Sequence, residues 1–230
     1  MEHKRVTLFA GHYGSGKTNI AVNYALHLAA EGKKVCIGDL DIVNPYFRTK
    51  DSAQELTEAG IDLISPQFAN TNVDLPALPA EAYRLVEDKS IFAIMDIGGD
   101  DCGAYALGRY TPAILAENNY RMAFVANCYR PLTRTPEDAL EVMREIETAC
   151  GLRFTCIVNN SHLGEETTPE TIHASEEYIS ELSRISGLPL WLTTAREDIS
   201  REMEHVFPLH LQKKIFDLPP QKPQSRPLWG

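Results

Sequence analysis

The sequence predicts a doubly wound α/β fold: a mostly parallel sheet with helices on both faces, forming a three-layer sandwich. Three observations predict it. Apolar, β-branched runs recur at residues 6–10, 34–38, 61–64, 91–95, 122–126, 154–158 and 188–192, with helical patterns between most of them, which is the alternation of βαβ units. Each run is short and nearly continuous in apolar residues, as in parallel strands covered on both faces. A G-x-x-x-x-G-K-T segment lies between the first run and the clearest helical stripe, where such a loop works. A chain of 230 residues with 43% hydrophobic content can bury the core of one such domain. That domain is expected to span residues 1–218, with a Pro-rich tail over 219–230.

Composition excludes several function classes. A formal net charge of −10 argues against broad attraction to nucleic acid or anionic lipid, both of which need clustered Lys and Arg. No run of about 18 apolar residues is present to span a bilayer as a helix. The opening Met1-Glu2-His3-Lys4-Arg5 leads straight into a strand-like run, without an apolar segment and cleavage site, so a cytoplasmic protein is expected. Cys36, Cys102, Cys128, Cys150 and Cys156 are scattered and form no Cys-x-x-Cys pair. They read as neither a disulfide framework nor a zinc site, and most of them as buried thiols.

After the first strand, Gly11-His12-Tyr13-Gly14-Ser15-Gly16-Lys17-Thr18 opens a helix whose stripe is Ile20, Ala21, Tyr24, Ala25, Leu28 and Ala29, with Gly32 beyond its end. Glycines let successive backbone N–H groups curl around phosphate oxygens, and the helix N-terminus adds its positive end. Gly11, Tyr13, Gly14, Ser15, Gly16, Lys17, Thr18 and Asn19 are therefore the candidate ATP-binding residues. Lys17 would reach the terminal phosphates and the Thr18 hydroxyl would hold magnesium (Mg2+).

The second strand ends in Asp39-Leu40-Asp41, placing two carboxylates where doubly wound sheets bind ligands. The strand over 91–95 ends in Asp96-Ile97-Gly98-Gly99, a Walker B pattern. Its acid would hold magnesium through water, and Gly99 would let backbone approach the γ-phosphate. Further on, Thr135-Pro136-Glu137-Asp138 and Thr168-Pro169-Glu170 each set a capping hydroxyl before a first-turn proline and acid, marking two helix starts.

With Lys17, Thr18, Asp39, Asp41, Asp96 and Gly99 in that order, the chain resembles the MinD/ParA/CobQ-type (SIMIBI class) P-loop NTPases, the class of the nitrogenase iron protein, over most of residues 5–200. The resemblance implies that Asp41 positions the attacking water and Asp39 supports magnesium. It implies that Asn159, or its neighbour Asn160, reads adenine and that residues 190–198 close over the base. Dimeric members carry a second lysine five residues before the Walker lysine, where this chain has His12. An imidazole is no permanent charge at neutral pH, so monomer and homodimer both stay open.

Residues 96–103 also resemble the iron protein's stretch with a cluster-ligating Cys, here Cys102, but no cysteine occurs from Val43 to Asp101 to supply the other ligand. The implied function is a slow Mg-dependent ATPase whose nucleotide state, through residues 44–51 and 98–110, switches a partner protein. The alternative is an ATP-dependent small-molecule enzyme of the same fold: a dethiobiotin-synthetase-like or cobyrinate-amidase-like ligase, or a kinase. Residues 66–79, with Gln67, Asn70, Asn72 and Asp74, suit either a partner surface or an acceptor-substrate loop.

Overall fold

A computed structural model describes residues 2–40, 52–65, 80–99 and 101–211, excluding the side chains of 101 and 102. Asp41, the segments 44–51 and 66–79, the Cys102 side chain and the tail over 219–230 lie outside the described residues. The elements run β1 (Val6–Ala10), α1 (Lys17–Ala30), β2 (Val35–Leu40), α2 (Ala53–Glu58), β3 (Asp62–Ile64), α3 (Arg84–Glu87), β4 (Phe92–Ile97), α4 (Asp101–Gly108), α5 (Thr111–Glu117) and β5 (Tyr120–Ala126). They continue as α6 (Pro136–Cys150), β6 (Cys156–Asn159), α7 (Pro169–His173), α8 (Glu176–Ser186), β7 (Leu190–Arg196), α9 (Glu197–Ser200) and β8 (Val206–Leu209).

Among the described residues the strands form one eight-stranded sheet in the order β3-β2-β4-β1-β5-β6-β7-β8, and every pairing is parallel. This is the doubly wound fold, with β1 central and the order reversing around it. Alternation along the strands divides the interior in two. Leu8, Met95 and Phe124 face a core shared with Leu107, Ile114, Met143 and Leu182 from α4, α5, α6 and α8. Phe9, Ile37, Ile94 and Val125 face the other, filled by Ile20, Tyr24 and Leu28 of α1 and Leu56 of α2. No helix among the described residues is long and apolar enough to cross a membrane.

Both helix starts form as their chemistry dictates. Thr135 Oγ1 accepts the Asp138 N–H at 3.2 Å and Thr168 Oγ1 the Thr171 N–H at 3.3 Å, closing capping boxes over Pro136 and Pro169.

Two expectations are corrected. The segment over 190–198, expected as a loop, is β7 and the start of α9, because the β-branched Thr193 and Thr194 continue the ladder with β8. The eighth strand was not foreseen: Val206-Phe207-Pro208-Leu209 contains a proline, which lacks a ladder donor and is tolerated because β8 pairs only with β7 at the edge.

The start of β1 is held by a buried cation. Arg5, 6% exposed, pairs through Nε and Nη2 with both carboxylate oxygens of Glu117 on α5. It also donates from Nη1 to the Leu85 and Asp88 carbonyls at 3.2 Å. The Arg5 hydrogen bond holds the Glu117 carboxyl below its ordinary 4.5, against the opposing effect of burial. A carboxylate depressed by folding contributes stability that is full above 4.5 and fades as pH falls through the folded value. Glu117→Gln should therefore cost about 2 kcal/mol near neutrality, and urea denaturation should show the gap to the parent closing as pH is taken below 4.5. A gap independent of pH would assign the cost to packing instead.

Candidate functional site

The candidate site lies beyond the C-terminal ends of β1, β2 and β4, on the α1 face of the sheet. Parallel pairing sets Asp39 of β2 against Asp96 of β4, and Asp96 against Phe9 of β1. Neighbouring parallel strands are about 4.8 Å apart and partners in register share a face. Ile37 and Ile94, two residues earlier, both pack on α1, so Asp39 and Asp96 project on the side where α1 begins. Each is 1% exposed.

The loop between β1 and α1 is held by contacts only glycine permits. At Gly16, the N-cap of α1, φ is +91°, and a Cβ there would lie 2.2 Å from Asn160 Nδ2. Across the loop, a Cβ on Gly99 would lie 2.6 Å from the Tyr13 nitrogen and 2.9 Å from Lys17 Nζ. The end of β4 is thus pressed against both a loop amide and the ammonium. Lys17 is 6% exposed and donates to the His12 carbonyl at 3.1 Å, so its stem folds back over the loop. Next to Gly99, a Cβ on Gly103 of α4 would lie 2.6 Å from the Gly98 Cα, so α4 packs directly on the backbone leaving β4.

The two asparagines at the end of β6 face opposite ways. Asn159 Nδ2 donates to Ser175 Oγ at 2.9 Å, before α8, and its Oδ1 accepts the Ser161 N–H at 3.1 Å. Asn160 Nδ2 donates to the Ser15 carbonyl at 2.6 Å, while its Oδ1 accepts from Thr194 Oγ1 at 2.7 Å. Successive residues of a strand point to opposite faces, so the loop-side residue is Asn160. Both amides serve the protein's own framework.

Sequence reasoning passed over two more residues. Arg130, beyond β5, donates from Nε to the Gly14 carbonyl at 2.9 Å. His162, beyond β6, has its Nε2 3.7 Å from a Cβ built on Gly16. Burial, then the Arg130 charge, pushes the His162 imidazole from 6.5 down to about 4, so it is neutral at neutral pH. Its Nδ1 accepts the Gly164 N–H at 3.2 Å, which leaves the proton on Nε2. Their position one turn past the ends of β5 and β6 was the available signal, since that rim is where doubly wound sheets bind ligands.

These residues suit a nucleotide with magnesium. Two buried carboxylates in register repel one another unless cations compensate them. Lys17 Nζ lies beside the end of β4 at Gly99, and Thr18, Asp39 and Asp96 offer the oxygen ligands that magnesium prefers. The Ser15 hydroxyl is buried with no hydrogen-bond partner among the described residues, as a donor waiting for an acceptor would be.

No family model matches the chain, and no curated protein matches it. Solved structures do. The cell division protein FtsY from Thermotoga maritima matches with a TM-score of 0.58 at 18% identity, over 85% of this chain and 63% of its own. FtsY from Mycoplasma mycoides matches with a TM-score of 0.56 at 16% identity, over 85% and 61%. The signal recognition particle receptor FtsY from Elizabethkingia anophelis, in complex with GDP, matches at 0.51 and 15% identity, over 86% and 58%. The chain spans about three fifths of the length of these proteins, and what it shares with them is the doubly wound α/β fold.

Proposed function

We propose that this chain binds ATP with Mg2+ at the loop Gly11 to Thr18, hydrolyses it slowly, and acts as a nucleotide-dependent switch on a partner protein. The observation that carries the reading is the convergence of Lys17, Thr18, Asp39 and Asp96 on one face at the ends of β1, β2 and β4, with Gly99 closed against the loop. In this reading the loop amides and Lys17 hold phosphate oxygens, and Thr18, Asp39 and Asp96 hold magnesium. Bound magnesium would neutralise charge on the phosphates. Asp41 orients the attacking water by accepting its proton. The GDP complex of one fold neighbour supports a nucleotide ligand in general.

Adenine is favoured over guanine by the residues after β6. An Asn-Lys-x-Asp sequence reads guanine through its acid. Here the residue three beyond Asn159 is His162, and three beyond Asn160 is Leu163. Neither offers a carboxylate. The switch reading draws on Gly98, Gly99 and Gly103: because Gly103 lets α4 approach the Gly98 backbone closely, a shift of Gly99 toward phosphate would pass to α4. Nothing of this kind favours the small-molecule enzyme reading.

Gly99→Ala should weaken ATP binding at least as much as Lys17→Ala, because the added methyl displaces the Tyr13 amide and the ammonium together. Asn160→Ala should weaken it less, by releasing the Ser15 carbonyl. Calorimetry on the three variants checks the order, and parental affinity in Lys17→Ala would overturn the phosphate site.

Direct competition should favour ATP over GTP. Tighter GTP binding would place the base-reading group elsewhere.

Asp41→Asn should lower single-turnover hydrolysis by about 10²–10⁴ while leaving Mg–ATP affinity near the parental value. Loss of turnover in Asp39→Asn alone would exchange the two roles. Since His12 puts no permanent charge in a neighbouring site, the basal rate per molecule should not rise with protein concentration.

A further inference from the structure

At the end of α1 remote from the loop, about 20 Å along the helix axis, three side chains converge. His27 on the last turn of α1 and Glu31 at its C-cap are four residues apart and share a helix face. His3, in the segment before β1, reaches the same point. The Glu31 carboxylate lies between the imidazoles, with Oε2 2.9 Å from His3 Nε2 and Oε1 3.3 Å from His27 Nε2. One ligand atom from each residue lies within 4.8 Å of the others.

We propose that His3, His27 and Glu31 form a binding site for a divalent transition-metal ion of the zinc type. Two imidazole nitrogens and one carboxylate oxygen suit Zn2+ and its late first-row neighbours, whereas Mg2+ prefers oxygen ligands. In tetrahedral coordination at about 2.0–2.1 Å, donor atoms stand about 3.3 Å apart, near the two carboxylate–imidazole separations of 2.9 and 3.3 Å and within the 4.8 Å that spans all three ligand atoms.

The outer shell is built for the same task. His3 Nδ1 lies 3.0 Å from the Tyr24 hydroxyl, which both donates and accepts. With Nε2 protonated toward Glu31, Nδ1 accepts from Tyr24. On metal binding the proton moves to Nδ1 and is donated to Tyr24, freeing the Nε2 lone pair with no net proton change. Tyr24 is fully buried and held edge-on against Phe9 and Trp191. The His27 ring stands edge-on to Phe207 at 5.6 Å. His3 is 11% exposed while His27 and Glu31 are 40% and 39% exposed, so an ion can enter from solvent and keep a water as its fourth ligand. Occupied, the site would tie the chain before β1 to the helix that carries the phosphate loop.

The test is calorimetric titration of Zn2+ into the full chain in chelator-free buffer, with excess Mg2+ to keep the oxygen ligands of the nucleotide site engaged. Saturable one-to-one binding is expected, with a rise in melting temperature. His27→Gln and Glu31→Gln, both at exposed positions, should each weaken it at least tenfold, and Tyr24→Phe, which removes the hydroxyl partner of His3, by about tenfold. Co2+ bound to the parent should show tetrahedral visible absorption that both ligand variants lose. Absence of saturable binding would overturn the proposal, leaving a hydrogen-bonded surface cluster. Binding of equal strength in the ligand variants would overturn it too, placing the ion elsewhere, for instance on a thiol.

Discussion

Two carboxylates in register on adjacent strands, each 1% exposed, are the constraint around which the rest is organised. Buried like charges are tolerated only where the surroundings supply opposite charge. The strand order meets that demand by inserting β4 between β1 and β2, which brings Asp96 beside Asp39 and both to the face where α1 starts with Lys17 and Thr18. A sheet ordered as the chain runs, with β2 beside β1, would separate the acids from one another or from the lysine. The reversal of strand order around β1 and the charge balance of the site are therefore one requirement seen at two scales.

The loop in the middle of this arrangement is gripped through its carbonyls. Lys17 takes the His12 carbonyl, Arg130 that of Gly14 and Asn160 that of Ser15. These three carbonyls are engaged by donors from α1 and from beyond β5 and β6, and the Ser15 N–H also donates to the His12 carbonyl at 3.2 Å, which fixes the loop's shape; loop N–H groups are the donors a phosphate needs. Arg130 adds a second effect, since its charge helps keep His162 neutral. A neutral imidazole donates from Nε2 beside Gly16 without adding charge to the site.

How much of this was legible depends on the range over which each residue acts. Strand runs, the α1 stripe, the glycine loop and the capping threonines are local patterns, and each of the seven apolar runs overlaps a strand. The strand β8 was missed because Pro208 disguises an edge position that only the sheet order reveals. Sequence likeness favours Asn159 over its neighbour Asn160, but a single residue of register decides which face a side chain takes, and it is Asn160 that reaches the loop at Ser15 while Asn159 bonds Ser175. Arg130 and His162 carry no motif. They matter because β5 and β6 deliver them to a loop more than a hundred residues away in sequence. The same holds for His3, whose meeting with Glu31 depends on β1 running beside the helix that comes after it.

The helix α1 joins these two levels. Its inner face is sealed by Ile20, Ala21, Tyr24, Ala25 and Leu28, all fully buried, so it behaves as a rigid mount rather than an adjustable one. A mount of this kind fixes Lys17 and Thr18 relative to Asp39 and Asp96 before any ligand arrives, so binding costs little ordering entropy on that side. The opposite wall of the site is built differently. At Gly98 and Gly99 the backbone leaving β4 lies close against α4, an approach that Gly103 allows, while Met95 and Ile97 pack on Ala104 and Leu107 below it. Gly99 thus sits between Lys17 at the start of α1 and, through Gly98 and Gly103, α4 with α6 packed beside it.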